Sequence, residues 1–337
     1  MLKKLLILIF LASVAFASTL YFQFDKTLSA QLNISEDTLL KINSGSSISS
    51  FAKQLEKQQW IDNRFWLRNY GRLFPEKVQI KAGTYLIAKG ATVTDLLHQV
   101  IAGKEHQFSI TFIEGTRFQD ALNILAKHPH IKHTLKGQSI KQIAKKLTIS
   151  EENPEGWLFP DTYAFTAGTQ DITLLKRAHT NMQSQLNILW KQRADNLPYS
   201  TAYEALIMAS IIEKETSYIP EQPLISSVFV NRLHKKMRLQ TDPTIIYGLG
   251  DRYKGDITYA HKREKTAYNT YRINGLPPTP IALAGLSAIK ATLKPASSDY
   301  YYFVSGGNGK HVFSRTLTEH NKAVRNYLRI EKQKKSP

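Results

Sequence analysis

Apolar and weakly polar positions run unbroken from Leu5 to Phe22, behind Lys3 and Lys4. Such a run has the length of about 20 residues that a bilayer-spanning helix needs. Ala15-Phe16-Ala17 resembles the small-residue site at which a signal peptide is cut. The run exceeds the usual apolar core of such peptides, however, which favours a retained signal anchor over residues 1–24. Lys3 and Lys4 favour a cytoplasmic N-terminus, and Lys26 on the far flank keeps that bias modest. A polar connector then fills residues 25–37.

Beyond it the apolar period changes repeatedly. Thr38-Leu39-Leu40-Lys41-Ile42 alternates as a strand does, and Ile48, Phe51, Ala52 and Leu55 recur at helical spacing behind the capping serines of Ser44-Gly45-Ser46-Ser47. Val78 to Ile87 reads as a second strand, followed by a helix on Val93, Leu96, Leu97 and Val100 after Thr92. Phe108 to Ile113 gives a third strand, followed by a helix on Phe118, Ala121, Leu122 and Leu125. Together these elements predict a small α+β region over 38–150. Glu155 to Tyr163, rich in Gly, Pro and aromatics, reads as an ordered connection to a second region over 151–333.

That second region is mainly helical. A long helix runs from Ile172 towards Ala194, and Thr201 with Glu204 forms a capping box for the next. Tyr301-Tyr302-Phe303-Val304, the turn Gly306-Gly307-Asn308-Gly309 and His311-Val312-Phe313 form a hairpin. Thr316 and Glu319 cap a final helix that ends in a basic tail over 334–337.

Composition narrows the class. With 42% hydrophobic and 10% aromatic residues, the 337-residue chain can bury two cores. Lys and Arg outnumber Asp and Glu by 45 to 27, a net charge of +18 that suits polyanionic partners. Nucleic acid is disfavoured, because no basic zipper, zinc-finger spacing or RNP-like aromatic pattern is present. The absence of cysteine removes disulfides, thiol nucleophiles and thiolate metal sites. No metal or organic cofactor is indicated, since the histidines lack HExxH spacing and no glycine-rich phosphate loop occurs.

Candidate chemistry lies on the helix from Tyr203 to Thr216. Ala205, Met208, Ala209 and Ile212 form its core stripe, with Leu206, Ser210 and Glu213 on the adjoining face. Glu213 therefore sits at a core margin, where desolvation raises a carboxyl pKa and fits it for proton transfer. Glu215 points the other way, towards Lys214 and water. Downstream, Gln240, Thr241, Asp242 and Tyr247, then Tyr268, Asn269 and Tyr271, supply the amides, carboxylate and aromatic faces that sugar rings require. Asp242-Pro243-Thr244 equally suits a helix N-cap, and the tyrosines equally suit packing.

These motifs carry a resemblance. Ala209-Ser210-Ile211-Ile212-Glu213-Lys214-Glu215-Thr216, Leu239-Gln240-Thr241-Asp242-Pro243 and Gly275-Leu276-Pro277-Pro278 resemble the endolytic murein transglycosylase family, MltG or YceG-like. Glu155 to Tyr163 and Ala267-Tyr268-Asn269-Thr270-Tyr271 resemble it too. The resemblance implies a single-pass inner-membrane protein, a LysM-like module over 38–150 and a periplasmic YceG-like catalytic domain over 151–333. It implies Glu213 as catalyst and peptidoglycan glycan strands as substrate. Glycan polymerases are the implied neighbours, because cleavage would terminate nascent strands. The implied reaction cuts the bond from N-acetylmuramic acid to N-acetylglucosamine and leaves a 1,6-anhydro end. Asp242, if it lies across the cleft from Glu213, would open a hydrolytic route. The alternative from another class is a non-catalytic, membrane-tethered peptidoglycan-binding scaffold.

Overall fold

The protein, seen here as a computed structural model, is described over residues 2–334, so most of the expected basic tail, residues 335–337, lies outside the described residues. Two compact units emerge. Among the described residues, one comprises 2–108 and 164–168, the other 109–163 and 169–334.

The first unit begins with helix α1, Leu2–Ser29. Its stretch Lys3–Ser29 is long and apolar enough to cross a membrane. Leu5, Phe10, Phe16 and Phe22 are all exposed, so the helix is apolar around its whole circumference, as a lipid-facing helix is. Its last turns are tied to the folded unit: the Phe24 ring lies 5.2 Å from that of Tyr70, and Thr94 Oγ1 donates to the Leu28 carbonyl.

Strand β1 (Thr38–Ile42) pairs antiparallel with β2 (Gly83–Ile87), from Thr38 opposite Ile87 to Ile42 opposite Gly83. Between them lie helices α2 (Ile48–Lys57) and α3 (Phe65–Leu73), and α4 (Val93–Ala102) follows. The caps form as expected: Ser47 accepts from the Ser50 amide, and Thr92 exchanges bonds with Asp95. Leu40 and Ile42 of β1 point into the same core as Phe51, Leu55, Tyr85 and Leu96. The second strand is shorter than the pattern predicted, because the Lys81 amide bonds to Val100 rather than to β1. Helix α3 went unpredicted. It sits tightly against α2, where a side chain on Gly71 would meet Ile48 at 2.3 Å.

Short strands β3 (Phe108–Thr111) and β4 (Thr162–Phe165) form a second two-stranded sheet. Between them lie α5 (Phe118–Lys127) and α6 (Ile140–Lys146). The pattern grouped residues 109–150 with the first unit, whereas contacts place them in the second. Gly115 and Thr116 bond to the Leu283 backbone, Glu155 accepts from the Phe118 amide, and the Lys132 amide bonds to Thr169.

Helix α7 (Asp171–Lys191) leads to α8 (Ala202–Glu215). Then come α9 (Gln222–His234), α10 (Asp242–Leu249), the single-turn α11 (Tyr259–Arg263) and α12 (Leu286–Leu293). Helix α8 is the hub, packed against α7, α9, α10 and α12. It is not amphipathic: every residue from Ala205 to Ile212 is buried, including Leu206 and Ser210. Ser210 is accommodated because its hydroxyl donates to the Ile207 carbonyl and accepts the Ile281 amide. The hairpin of β5 (Tyr302–Ser305) and β6 (His311–Ser314) forms as predicted, with α13 (Leu317–Lys334) packed beside it. Thr316 and Glu319 cap α13 reciprocally.

Candidate active site

Local sequence fixes where α8 starts and stops. Thr201 accepts from the Glu204 amide at its N-cap, while Glu204 bonds back to the Ser200 amide, one residue earlier than a strict capping box. At the other end Thr216 is extended and closes the helix with a bond to the Ile212 carbonyl. Glu213 thus falls in the last turn, half-buried, where the packed helix emerges.

Glu213 Oε2 accepts the backbone N–H of Gly285 at 3.0 Å. Gly285 is the N-cap of α12, so its amide belongs to the electropositive end of that helix. Burial pushes the Glu213 carboxyl above the usual range and the nearby Glu114 charge adds to it, against the pull of the Gly285 amide and Lys214. Glu114 arrives on a tight loop. Gly115 takes φ +73°, its amide donates to Leu283 O at 2.8 Å, Leu283 N returns a bond to Thr116 O, and Lys214 Nζ donates to Gly115 O. A Cβ on Gly285 would lie 2.0 Å from Glu114 Oε1, so that carboxyl rests directly over the glycine.

Glu215, on the far side of the helix end, departs from expectation. Instead of facing Lys214 and water, it accepts from the Thr241 hydroxyl and lines a cavity of about 380 Å³ with Arg232, Gln240, Asp242, Tyr271 and His320. Burial, reinforced by Asp242, pushes its carboxyl up to about 7. Arg232 is buried and satisfied by carbonyls, Nε to Tyr301 O at 2.6 Å and Nη1 to Leu239 O at 2.7 Å. Asp242 accepts from the Tyr271 hydroxyl at 2.6 Å and pairs with Lys262 at 3.2 Å. Asp242 is the first residue of α10 rather than its cap, a position taken by Thr241. Gln240, Thr241, Asp242 and Tyr271 therefore gather around Glu215, not around Glu213.

The remaining predicted residues lie elsewhere. Tyr247 donates to Glu155 Oε2 and stands 4.9 Å from the Tyr268 ring, and the Tyr268 hydroxyl bonds to Thr279. Asn269 is fully buried. Its amide nitrogen donates to the carbonyls of His261, Lys262 and Glu264, and its oxygen accepts the Tyr271 amide. Burial at 1% exposure keeps it out of a ligand's reach, and these bonds make it the staple of the loop before Tyr271. His311 is held by Glu221 at 2.9 Å, and His320 stacks on Tyr302. Among the described residues no group of three or more His, Asp or Glu side chains is placed to hold a metal ion.

Sequence reading overlooked Glu114, Arg232 and Gly285. The one local signal was the turn glycine behind Glu114, between a strand and a helix.

A family model described as the YceG-like family matches residues 40–326 of the chain. A Bacillus subtilis (strain 168) protein named endolytic murein transglycosylase is 32% identical, over 93% of this chain and 91% of its own length. A protein of the same name from Streptococcus pneumoniae (strain ATCC BAA-255 / R6) is 26% identical over 95% of this chain, which spans 64% of that protein. A crystal structure described as a yceG-like protein from Listeria monocytogenes superposes with a TM-score of 0.53 at 32% identity, covering 85% of this chain and 99% of that one.

Proposed function

The chain belongs to the YceG-like family, and from that membership we propose that it is an endolytic murein transglycosylase with Glu213 as its acid and base. The observation that carries the assignment of Glu213 is its setting: a half-buried carboxyl at the end of a buried helix, raised in pKa, with Oε2 held by one backbone amide. Among the described residues Oε1 has no hydrogen-bond partner and is the oxygen available to carry the transferred proton.

In the first step protonated Glu213 gives its proton to the glycosidic oxygen between N-acetylmuramic acid and N-acetylglucosamine, as oxocarbenium character develops on the muramic ring. The Glu213 carboxylate then takes the proton of the muramic 6-hydroxyl, whose oxygen closes on the anomeric carbon. The acid is regenerated and the strand ends in a 1,6-anhydro sugar. The Gly285 amide stabilises the carboxylate between the two steps without neutralising it. The cavity around Glu215, with its tyrosine and amide groups, serves as a neighbouring glycan-binding surface. Asp242 lines that cavity, paired with Lys262 and Tyr271, which favours a binding role over that of a second hydrolytic carboxylate.

Helix α1 anchors the chain in the inner membrane with its N-terminus in the cytoplasm and the folded units in the periplasm, where glycan strands and their polymerases lie. The strand–helix–helix–strand order of β1, α2, α3 and β2 supports a LysM-like module in the first unit.

The test is digestion of isolated peptidoglycan by the full chain in detergent, wild type beside Glu213→Gln, with mass analysis of the released ends. Anhydro-muramic ends from wild type alone are expected. Reducing ends would overturn the transglycosylase chemistry in favour of hydrolysis, and intact glycan with retained binding would replace the enzyme by a scaffold.

A further inference from the structure

Glu114 occupies a place that a surface glutamate has no reason to keep. It is exposed, yet its carboxyl lies over the Cα of Gly285, the residue whose amide holds Glu213. Among the described residues it makes no hydrogen bond or ion pair. Lys214, the cation beside Glu213 in sequence, spends its ammonium on the Gly115 carbonyl instead. An uncompensated acid next to another acid is unfavourable, and rotation into water would relieve it. The loop keeps the residue close by, since Gly115 and Thr116 are pinned to Leu283 by two backbone bonds of 2.8 Å that fix where the Glu114 main chain lies. Gly285 completes the arrangement, because any side chain there would expel the Glu114 carboxyl.

We propose that Glu114 is a positioning residue of the active site, a fixed negative charge that keeps Glu213 supplied with its proton. This inference rests on the role given to Glu213 above. The groups that face Glu213 are Glu114 from the loop after β3, Lys214 from its own helix and the Gly285 amide at the start of α12. Of these only Glu114 favours the protonated acid. Its charge opposes ionisation of Glu213 before substrate cleavage, and thereby holds the proton for the glycosidic oxygen.

The test is direct titration of Glu213 by carboxyl carbon NMR in the full chain, labelled at the glutamate carboxyl and held in detergent at low ionic strength. The resonance is assigned by its loss in Glu213→Gln. In Glu114→Gln the Glu213 midpoint is expected to fall by about 0.3 pH unit or more, a twofold change in proton affinity, and in Glu114→Asp it returns towards wild type. The alkaline limb of the kcat/KM profile should move down with it, because the acid must be protonated to act. A midpoint that stays put or rises in a folded Glu114→Gln overturns the proposal. Should that variant fail to fold, Glu114→Ala removes the same charge without setting an amide against Gly285, and is read in the same way. Glycan left intact by wild type would sink the enzymatic reading while leaving the NMR shift to decide the coupling.

Discussion

The amide of Gly285 and the carboxyl of Glu213 meet at 3.0 Å although 72 residues separate them in the chain. This bond joins the last turn of α8 to the N-cap residue of α12, so the position of the acid depends on the packing of the two helices. The same glycine leaves room for Glu114, whose Oε1 would stand 2.0 Å from an added Cβ. Gly285→Ala should therefore displace Glu114 and tilt the amide that holds Glu213. We expect glycan cleavage to drop by about tenfold or more, with little change in stability, because the exposed Glu114 carboxyl can swing aside into water. Kinetics of fragment release beside a thermal melt check this, and wild-type activity in the variant would refute the contact.

Asn269 makes a separate case. Its side chain closes the turn over His261–Glu264 with three donated bonds and one accepted bond. Asn269→Ala leaves several partly buried backbone groups without their side-chain partner, so a loss of about 1–3 kcal/mol is expected. Urea unfolding measures it. A variant of wild-type stability with only a weakened KM would mean that Asn269 meets the glycan after all.

The attachment of α1 to the first unit separates anchoring from folding. Removing residues 1–21 deletes most of the exposed apolar span and keeps Phe24 against Tyr70 and Leu28 under Thr94. That chain should leave the membrane fraction and melt close to wild type. Removal through Ser29 strips both contacts and should lower stability by about 1–2 kcal/mol. Membrane sedimentation followed by calorimetry distinguishes the two, and equal melting temperatures would show that the last turns of α1 contribute nothing to the fold.

What the sequence disclosed was what is local. Thr38–Ile42, Val93–Ala102 and the Thr316–Glu319 cap were legible because alternation, helical period and capping chemistry act over a few residues. The end of α8 was legible for the same reason, and with it the half-burial of Glu213. What could not be read is convergence over distance. Glu215 looked solvated because its face of the helix carries Lys214 nearby, yet α10 brings Thr241 and Asp242 over it. Asn269 looked like a ligand group because polar residues in loops commonly are, and only the return of the chain through 261–264 exposes its structural duty. Apart from the turn glycine behind it, Glu114 carries no local signal, and its meaning comes from Leu283 and Gly285.

Glu155 connects this packing to pH. It is buried, with Oε1 accepting the Phe118 amide at 2.7 Å and Oε2 accepting the Tyr247 hydroxyl at 3.2 Å, and burial pushes its carboxyl up to about 7. A folded-state pKa above the unfolded value means that the folded chain binds the proton more tightly. Stability from this group is then full below the unfolded value and falls as pH rises towards 7, where the carboxylate must be charged in a buried site. A shift of this size corresponds to about 2–3 kcal/mol across that window. Glu155→Gln keeps an acceptor for the Phe118 amide and removes the titration. Urea unfolding at pH 5 and pH 8 should show wild type losing stability by roughly that amount more than the variant. Parallel losses in the two proteins would show that Glu155 stays charged in the fold, with Arg117 near enough to keep it so.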